Sequence, residues 1–164
     1  MWAGIIGDKI IGPFFFDQNL TGERYLEFLQ EILVPELIES YPTGNNNLDE
    51  RIFFQQDGAP PHYAANVRNY LNTAFPGRWI GRRGAIEWPA RSPDLTPLDF
   101  YLWGNLKHKV YVIKPTNIED LKYRIRLEIR SIPPQVLRSL QNEFYNRLAF
   151  CQEVNGAHFE QLLK

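Results

Sequence analysis

One cysteine and one methionine stand among 164 residues, and the three histidines, His62, His108 and His158, are widely spaced. A lone Cys151 cannot close an internal disulfide, and one cysteine with three scattered histidines cannot build a compact structural zinc site. Also missing is any apolar run of the ~18 residues needed to cross a bilayer. The opening Met1-Trp2-Ala3-Gly4 lacks the charged-then-apolar layout of a signal peptide. No internal repeat or low-complexity tract appears. The chain therefore reads as soluble and intracellular, with no membrane partner. What is present is ordinary for a globular fold: 44% hydrophobic and 23% charged residues, in a length that suits one domain.

Eighteen Lys/Arg against nineteen Asp/Glu give a net charge of −1, which taken alone argues against a nucleic-acid binder. The distribution says something different. Residues 1–77 carry four basic and ten acidic side chains, residues 78–138 twelve and six, and residues 139–164 two and three. A polyanion could approach the +6 middle while acidic groups of the front bind a cation, although segregation of this size also arises by chance.

Two short apolar runs, Trp2–Gly7 and Ile10–Phe16, flank a Gly7-Asp8-Lys9 turn and predict a hairpin. Thr21 can cap a helix carrying Leu26, Leu29, Leu33 and Leu37, which Pro35 should kink or split. Arg51–Gln56 predicts a strand, Ala64–Ala74 a helix stopped by Pro76-Gly77, and Arg78–Pro89 a strand followed by an irregular loop. Thr96-Pro97 starts a helix, Pro97–Val110, with Leu98, Leu102 and Leu106 inward. Residues 121–130 fit two periods. Strict alternation reads as strand, but a Thr116–Glu119 capping box, a Leu121/Ile125/Ile129 face and an Arg124–Glu128 pair favour helix. A last helix begins at Pro133-Pro134, carries Leu137, Leu140, Phe144 and Leu148, and stops at Asn155-Gly156. The layout is mixed α/β. We divide it into a sheet-containing core, residues 1–112, and C-terminal helices, residues 113–164, of a single domain.

Asp57 lies at the carboxyl end of an apolar strand, where open α/β sheets keep ligand groups; in isolation an Asp-Gly turn is the commoner explanation, but Ala59-Pro60-Pro61 follows and argues against a simple hairpin. Asp99 completes a Thr-x-x-Asp capping box with Thr96, and Asp94 reads as a turn residue. His62 could be an acid/base group or a turn residue. Arg82, Arg83 and Arg91 could hold phosphates through their forks or remain solvated.

Read together, Gln56-Asp57-Gly58-Ala59-Pro60-Pro61-His62, Trp79-Ile80-Gly81-Arg82 and Ser92-Pro93-Asp94-Leu95-Thr96-Pro97-Leu98-Asp99 resemble the catalytic domain of mariner-type DNA transposases. The resemblance extends from Trp2 to Leu163. It implies a ribonuclease H-like mixed sheet with flanking helices, and an acidic triad that binds two Mg²⁺ or Mn²⁺ ions for DNA strand cleavage and joining. Asp57 matches the second acid and Asp99 the third, with 41 residues between them (99 − 57 − 1), a longer gap than in the commonest members. Asp94 matches the family's turn aspartate. The family's first acid lies on a central first strand upstream of the Trp-Ala-Gly strand, and neither Asp8 nor Asp17 matches it. The resemblance thus implies a chain truncated at its amino end, without the first strand and without the helix-turn-helix region. Metal is then expected to be weakly held and the chain inactive alone, unless another copy or a complete transposase completes it. The alternative is a non-catalytic nucleic-acid-binding or interaction module. DNA contacts are expected from Arg82, Arg83, Arg91, Lys107 and Lys109, His62 is an accessory group, and the resemblance implies the nucleus.

Overall fold

Gly7 and Asp8 form the tight turn that the sequence implies, with Gly7 at φ +56°, a conformation costly for any side chain carrying a Cβ. The turn joins β1 (Trp2–Ile6) to β2 (Lys9–Phe14), antiparallel in the register Ile6↔Lys9, Ile5↔Ile10, Gly4↔Ile11 and, past a bulge, Trp2↔Phe14. The computed structural model describes residues 1–88 and 92–163. The chain divides into two compact units, Met1–Phe16 with Ser92–Lys164, and Asp17–Arg91.

In the first unit, Ala3 of the hairpin joins a core of Leu102, Leu106, Ile129, Ile132, Leu137 and Leu140. These side chains come from α4 (Gly104–Val110) and the turn before it, from α5 (Ile118–Arg130) and the residues after it, and from α6 (Pro134–Glu153). The alternating residues 121–130 are helical. Local capping decides between the two periods, because hydrogen bonds at the helix start do not depend on which face is buried. The box sits one residue later than expected. Asn117 accepts from the Asp120 amide (2.9 Å), while the Asp120 carboxylate accepts from Thr116 N (2.8 Å) and Oγ1 (3.1 Å). Arg124 correspondingly pairs with Asp120 (2.8 Å) rather than with Glu128, which takes Lys109 (3.5 Å). Asp8 at the hairpin turn accepts from Arg138 of α6 at 2.5 Å, a structural use of that acid.

In the second unit, α1 (Gly22–Phe28) starts at Thr21, whose hydroxyl accepts from Arg24 N at 3.3 Å. The helix is split ahead of Pro35, as the sequence implies: a π-helical turn, Leu29–Leu33, separates α1 from α2 (Val34–Ser40), widening the backbone where proline removes an N–H and would crowd the carbonyl four residues earlier. Tyr25, Phe28, Leu29, Leu33 and Leu37 are buried with Val67 and Leu71 of α3 (Ala65–Ala74). The sheet is parallel, in the order β3 (Phe54–Gln55), β4 (Trp79–Gly81), β5 (Ile86–Glu87). The Arg51–Gln56 strand is thus reduced to two residues. Arg78 explains the loss: its Nη1 donates to the Ile52 carbonyl (2.7 Å), which would otherwise extend the ladder, and Phe53 points to solvent. The hairpin and β3 belong to different sheets. Among the described residues no helix is long and apolar enough to cross a membrane.

Candidate metal and nucleic-acid site

β3 ends at Gln55, and Gln56 N bonds the Ile80 carbonyl (3.0 Å) before the chain leaves the sheet at Asp57. The two prolines that follow cannot continue a ladder, and Pro60–Tyr63 instead forms a 3₁₀ turn closed by His62 N on the Ala59 carbonyl (2.9 Å). The turn returns His62 to Asp57: Nδ1 lies 2.5 Å from Asp57 Oδ1, which also accepts from Ala59 N at 2.9 Å. The Asp57 side chain is 62% exposed and that of His62 only 13%. Oδ2 has no hydrogen-bond partner among the described residues. The His62 ring and the Ala59 N–H hold the Asp57 carboxyl below its ordinary range, overcoming the opposing effect of partial burial.

The loop is fastened from beneath by residues that sequence reasoning gave no role. Gln56, 7% exposed, donates from Nε2 to the His62 carbonyl (2.8 Å) and accepts from the buried Tyr25 hydroxyl at Oε1 (2.9 Å). The Tyr25 ring also lies against the His62 imidazole, centroids 4.3 Å apart. A buried glutamine directly after a strand was the available signal, since such an amide requires partners. Its partner lies 31 residues away, a separation that no local pattern reveals.

Arg82 and Arg83, both exposed, leave β4 in the same unit. The Arg82 guanidinium carbon lies 4.3 Å from the centroid of Tyr63 and that of Arg83 5.8 Å from the same ring. A Cβ added to Gly58 would meet the Arg82 stem at 3.6 Å, so this arginine borders the Asp57 loop. Arg91 lies outside the described residues.

Asp99 belongs to the other unit. It is exposed on a π-helical segment, Leu98–Trp103, that precedes α4. Its N–H bonds the Thr96 carbonyl (2.8 Å), and the Thr96 hydroxyl donates back to Ser92 O (3.2 Å). Asp94 sits in the 3₁₀ turn Pro93–Leu95, as a turn residue should. Arg147 of α6 ties this region together, with Nη1 on the Asp94 carbonyl (3.0 Å), Nε on Glu143 (2.9 Å) and its guanidinium 4.1 Å from the Phe100 ring centroid. Lys107 is exposed on α4, and Lys109 is shared with Glu128. Among the described residues no group of three or more His, Cys, Asp or Glu side chains is gathered to hold a metal.

No family model matches the chain. It is 36% identical over 150 residues to the Tc3 transposase of Caenorhabditis elegans, covering 90% of this chain and 41% of the relative. With the Tcb1 transposase of Caenorhabditis briggsae it shares 26% identity over 157 residues, 93% of this chain and 51% of the relative. It therefore spans about half the length of these relatives, or less. A structure of the Mos1 transposase catalytic domain with raltegravir and Mg has a TM-score of 0.70 at 21% identity, covering 93% of this chain and 70% of that one. The Mos1 mariner paired-end complex with Mn gives 0.71 at 22% identity, covering 93% and 40%. The chain is a homologue of the Tc1/mariner transposases, with the ribonuclease H-like fold of the mariner catalytic domain.

Proposed function

We propose that the chain is a transposase catalytic-domain segment in which Asp57 and Asp99 are metal-ligating acids for DNA strand cleavage and transfer, acting in the nucleus. The observation that carries this reading is the Asp57 carboxylate, which is exposed, held in its charged form, and tied down through Oδ1 only. A hard, anionic oxygen donor with one free oxygen suits Mg²⁺ or Mn²⁺, the ions named with the Mos1 structures. Bound there, such ions would lower the pKa of an attacking water or hydroxyl and stabilise the leaving oxygen. The protein's own part is positional. His62 and Ala59 N fix the carboxylate plane, the Tyr25–Gln56 link fixes the loop, and Arg82, Arg83, Lys107 and Lys109 supply positive charge for the DNA backbone.

Mn²⁺ titration of the ¹⁵N-labelled chain tests the reading through paramagnetic broadening. The amides of Asp57, Gly58 and Ala59 and those around Asp99 should broaden first, and Asp57→Asn should abolish broadening at its own loop. Broadening confined to other acidic residues, or unchanged in Asp57→Asn, would remove the metal assignment. Retention of DNA with no specific Mn²⁺ effect would leave a non-catalytic nucleic-acid module.

A further inference from the structure

We propose that the turn between β4 and β5 is a built phosphodiester cradle, in which the Arg82 and Arg83 guanidinium groups grip one phosphate of a DNA strand beside the Asp57 loop. The inference rests on the proposed DNA-strand chemistry and specifies where that strand is held.

Two adjacent arginines on a loop are ordinarily solvated and mobile, so the argument depends on what holds these two. Both guanidinium carbons lie over the single Tyr63 ring, at 4.3 and 5.8 Å, so one aromatic side chain holds two positive groups. Tyr63 is itself anchored, since its carbonyl accepts from Arg68 Nε of α3 at 3.1 Å. Among the described residues neither guanidinium is paired with a carboxylate, and both residues are exposed. The carboxylate nearest in sequence, Glu87, accepts from the backbone N–H of Arg83 (3.0 Å) and shapes the turn without pairing with either guanidinium.

The turn is also rigid. Arg83 adopts φ +58°, an uncommon conformation for a residue with a side chain, of the kind that persists where the surroundings enforce it. Gly84 N and Trp88 N both bond the Gly81 carbonyl, at 3.0 and 3.2 Å. A Cβ on Gly84 would stand 2.9 Å from the Trp79 ring, so the backbone here lies directly on a fully buried aromatic. A pair of guanidinium forks that pairs with no carboxylate among the described residues matches the tetrahedral, bidentate acceptor geometry of a phosphate.

The test measures affinity of the full chain for a short fluorescein-labelled duplex as a function of salt, in EDTA so that metal binding plays no part. One phosphate held by both arginines predicts that the double variant of Arg82→Ala and Arg83→Ala lowers the log–log salt slope by about the 0.9 expected for one phosphate contact, and that neither single variant lowers it by more. Arg82→Lys should keep the slope but weaken binding severalfold, because the charge stays while the stacked fork is lost. Tyr63→Leu should weaken binding severalfold with the charge unchanged, and Arg130→Ala, at the end of α5, should change nothing. Additive single effects, with the double variant losing the slope of two phosphates, would overturn the cradle in favour of two separate contacts. So would arginine variants that bind as tightly as the parent, or an Arg130→Ala loss of equal size. If the parent chain binds no DNA, the cradle and the DNA reading both fail, whereas Mn²⁺ broadening at Asp57 still reports the metal reading by itself.

Discussion

The two units hold their acidic residues by opposite means. In Asp17–Arg91, Asp57 stands on a loop whose position is set from inside by hydrogen bonds: Tyr25 hydroxyl to Gln56 amide, Gln56 amide to His62 carbonyl, His62 ring to Asp57. In the unit containing Ser92–Lys164, Asp99 stands on a helical surface whose position is set by apolar burial of Leu102 and Leu106 and by one arginine, Arg147, clasping the preceding turn. Buried hydrogen bonds fix direction as well as place, because each donor must meet its acceptor; apolar contacts fix place and tolerate small rotations. The difference implies that the Asp57 loop is preordered by buried hydrogen bonds, whereas the segment that carries Asp99 is placed by apolar burial.

The largest expected effect is therefore at Gln56. Gln56→Leu keeps the volume close but removes the acceptor of the fully buried Tyr25 hydroxyl and the donor to the His62 carbonyl. At about 1–3 kcal/mol for the buried hydroxyl, with less from the part-buried His62 carbonyl, urea denaturation should show a loss of roughly 1–4 kcal/mol. Adding Tyr25→Phe should recover part of it, since an apolar pair of the right shape is far less costly than a half-made bond. A single-variant loss below about 1 kcal/mol, with no recovery in the double variant, would show that the network does not hold the loop.

A smaller effect is expected at Arg147. Its side chain is 13% exposed, so loss of the Asp94 carbonyl bond and the Phe100 contact in Arg147→Met should cost roughly 1–3 kcal/mol. Amide exchange should quicken over residues 93–100 and leave the 57–63 loop unchanged. Arg147→Lys should not restore protection, because a lysine cannot hold the carbonyl and face the ring with one planar group. Equal quickening in both regions would erase the proposed contrast between the two acids.

How much of this was legible in the sequence follows from the range over which each signal acts. The hairpin was readable because Gly7-Asp8 and the flanking apolar runs are local, and α5 because its caps are local even though its period is ambiguous. The π-helical turns before Pro35 and around Asp99 were not, since their hydrophobic spacing is nearly that of an α-helix. β3 shrank because of Arg78, 26 residues from the carbonyl it captures. Asp57 could be picked out from an apolar run ending in Asp-Gly-Ala-Pro-Pro, whereas its support from Tyr25 and the clasp of Arg147 on Asp94, 53 residues apart, are products of tertiary packing. Arg124 was assigned the wrong partner because Glu128 and Asp120 lie at equal spacing on either side, and only the cap geometry favours Asp120.

The smallest expected effect is a pH dependence that sharpens the comparison without touching either proposed metal ligand. Arg124, together with the Thr116 N–H and hydroxyl, lowers Asp120 from 3.8 to about 2; Arg51, with its side chain first and its backbone N–H second, does the same for Asp49 in the other unit. Both folded-state values lie below the unfolded one, so each contribution is present above about pH 3.8 and is lost as pH falls towards about 2. The two carboxylates serve different local structures. Asp120 closes the first turn of a thirteen-residue helix, and Asp49 turns the chain into the short β3. Helicity monitored by circular dichroism should accordingly separate parent from Asp120→Asn at neutral pH and converge as pH drops from about 4 to about 2, whereas Asp49→Asn should leave α5 helicity at the parent's value throughout. Because Asp120 and Arg124 are both partly exposed, high salt should shrink the Asp120 difference without abolishing it, the capping hydrogen bonds to Thr116 being less sensitive to screening than the charge of Arg124. A gap that stays constant across that pH range would mean that Asp120 acts through its shape at the cap rather than through its charge.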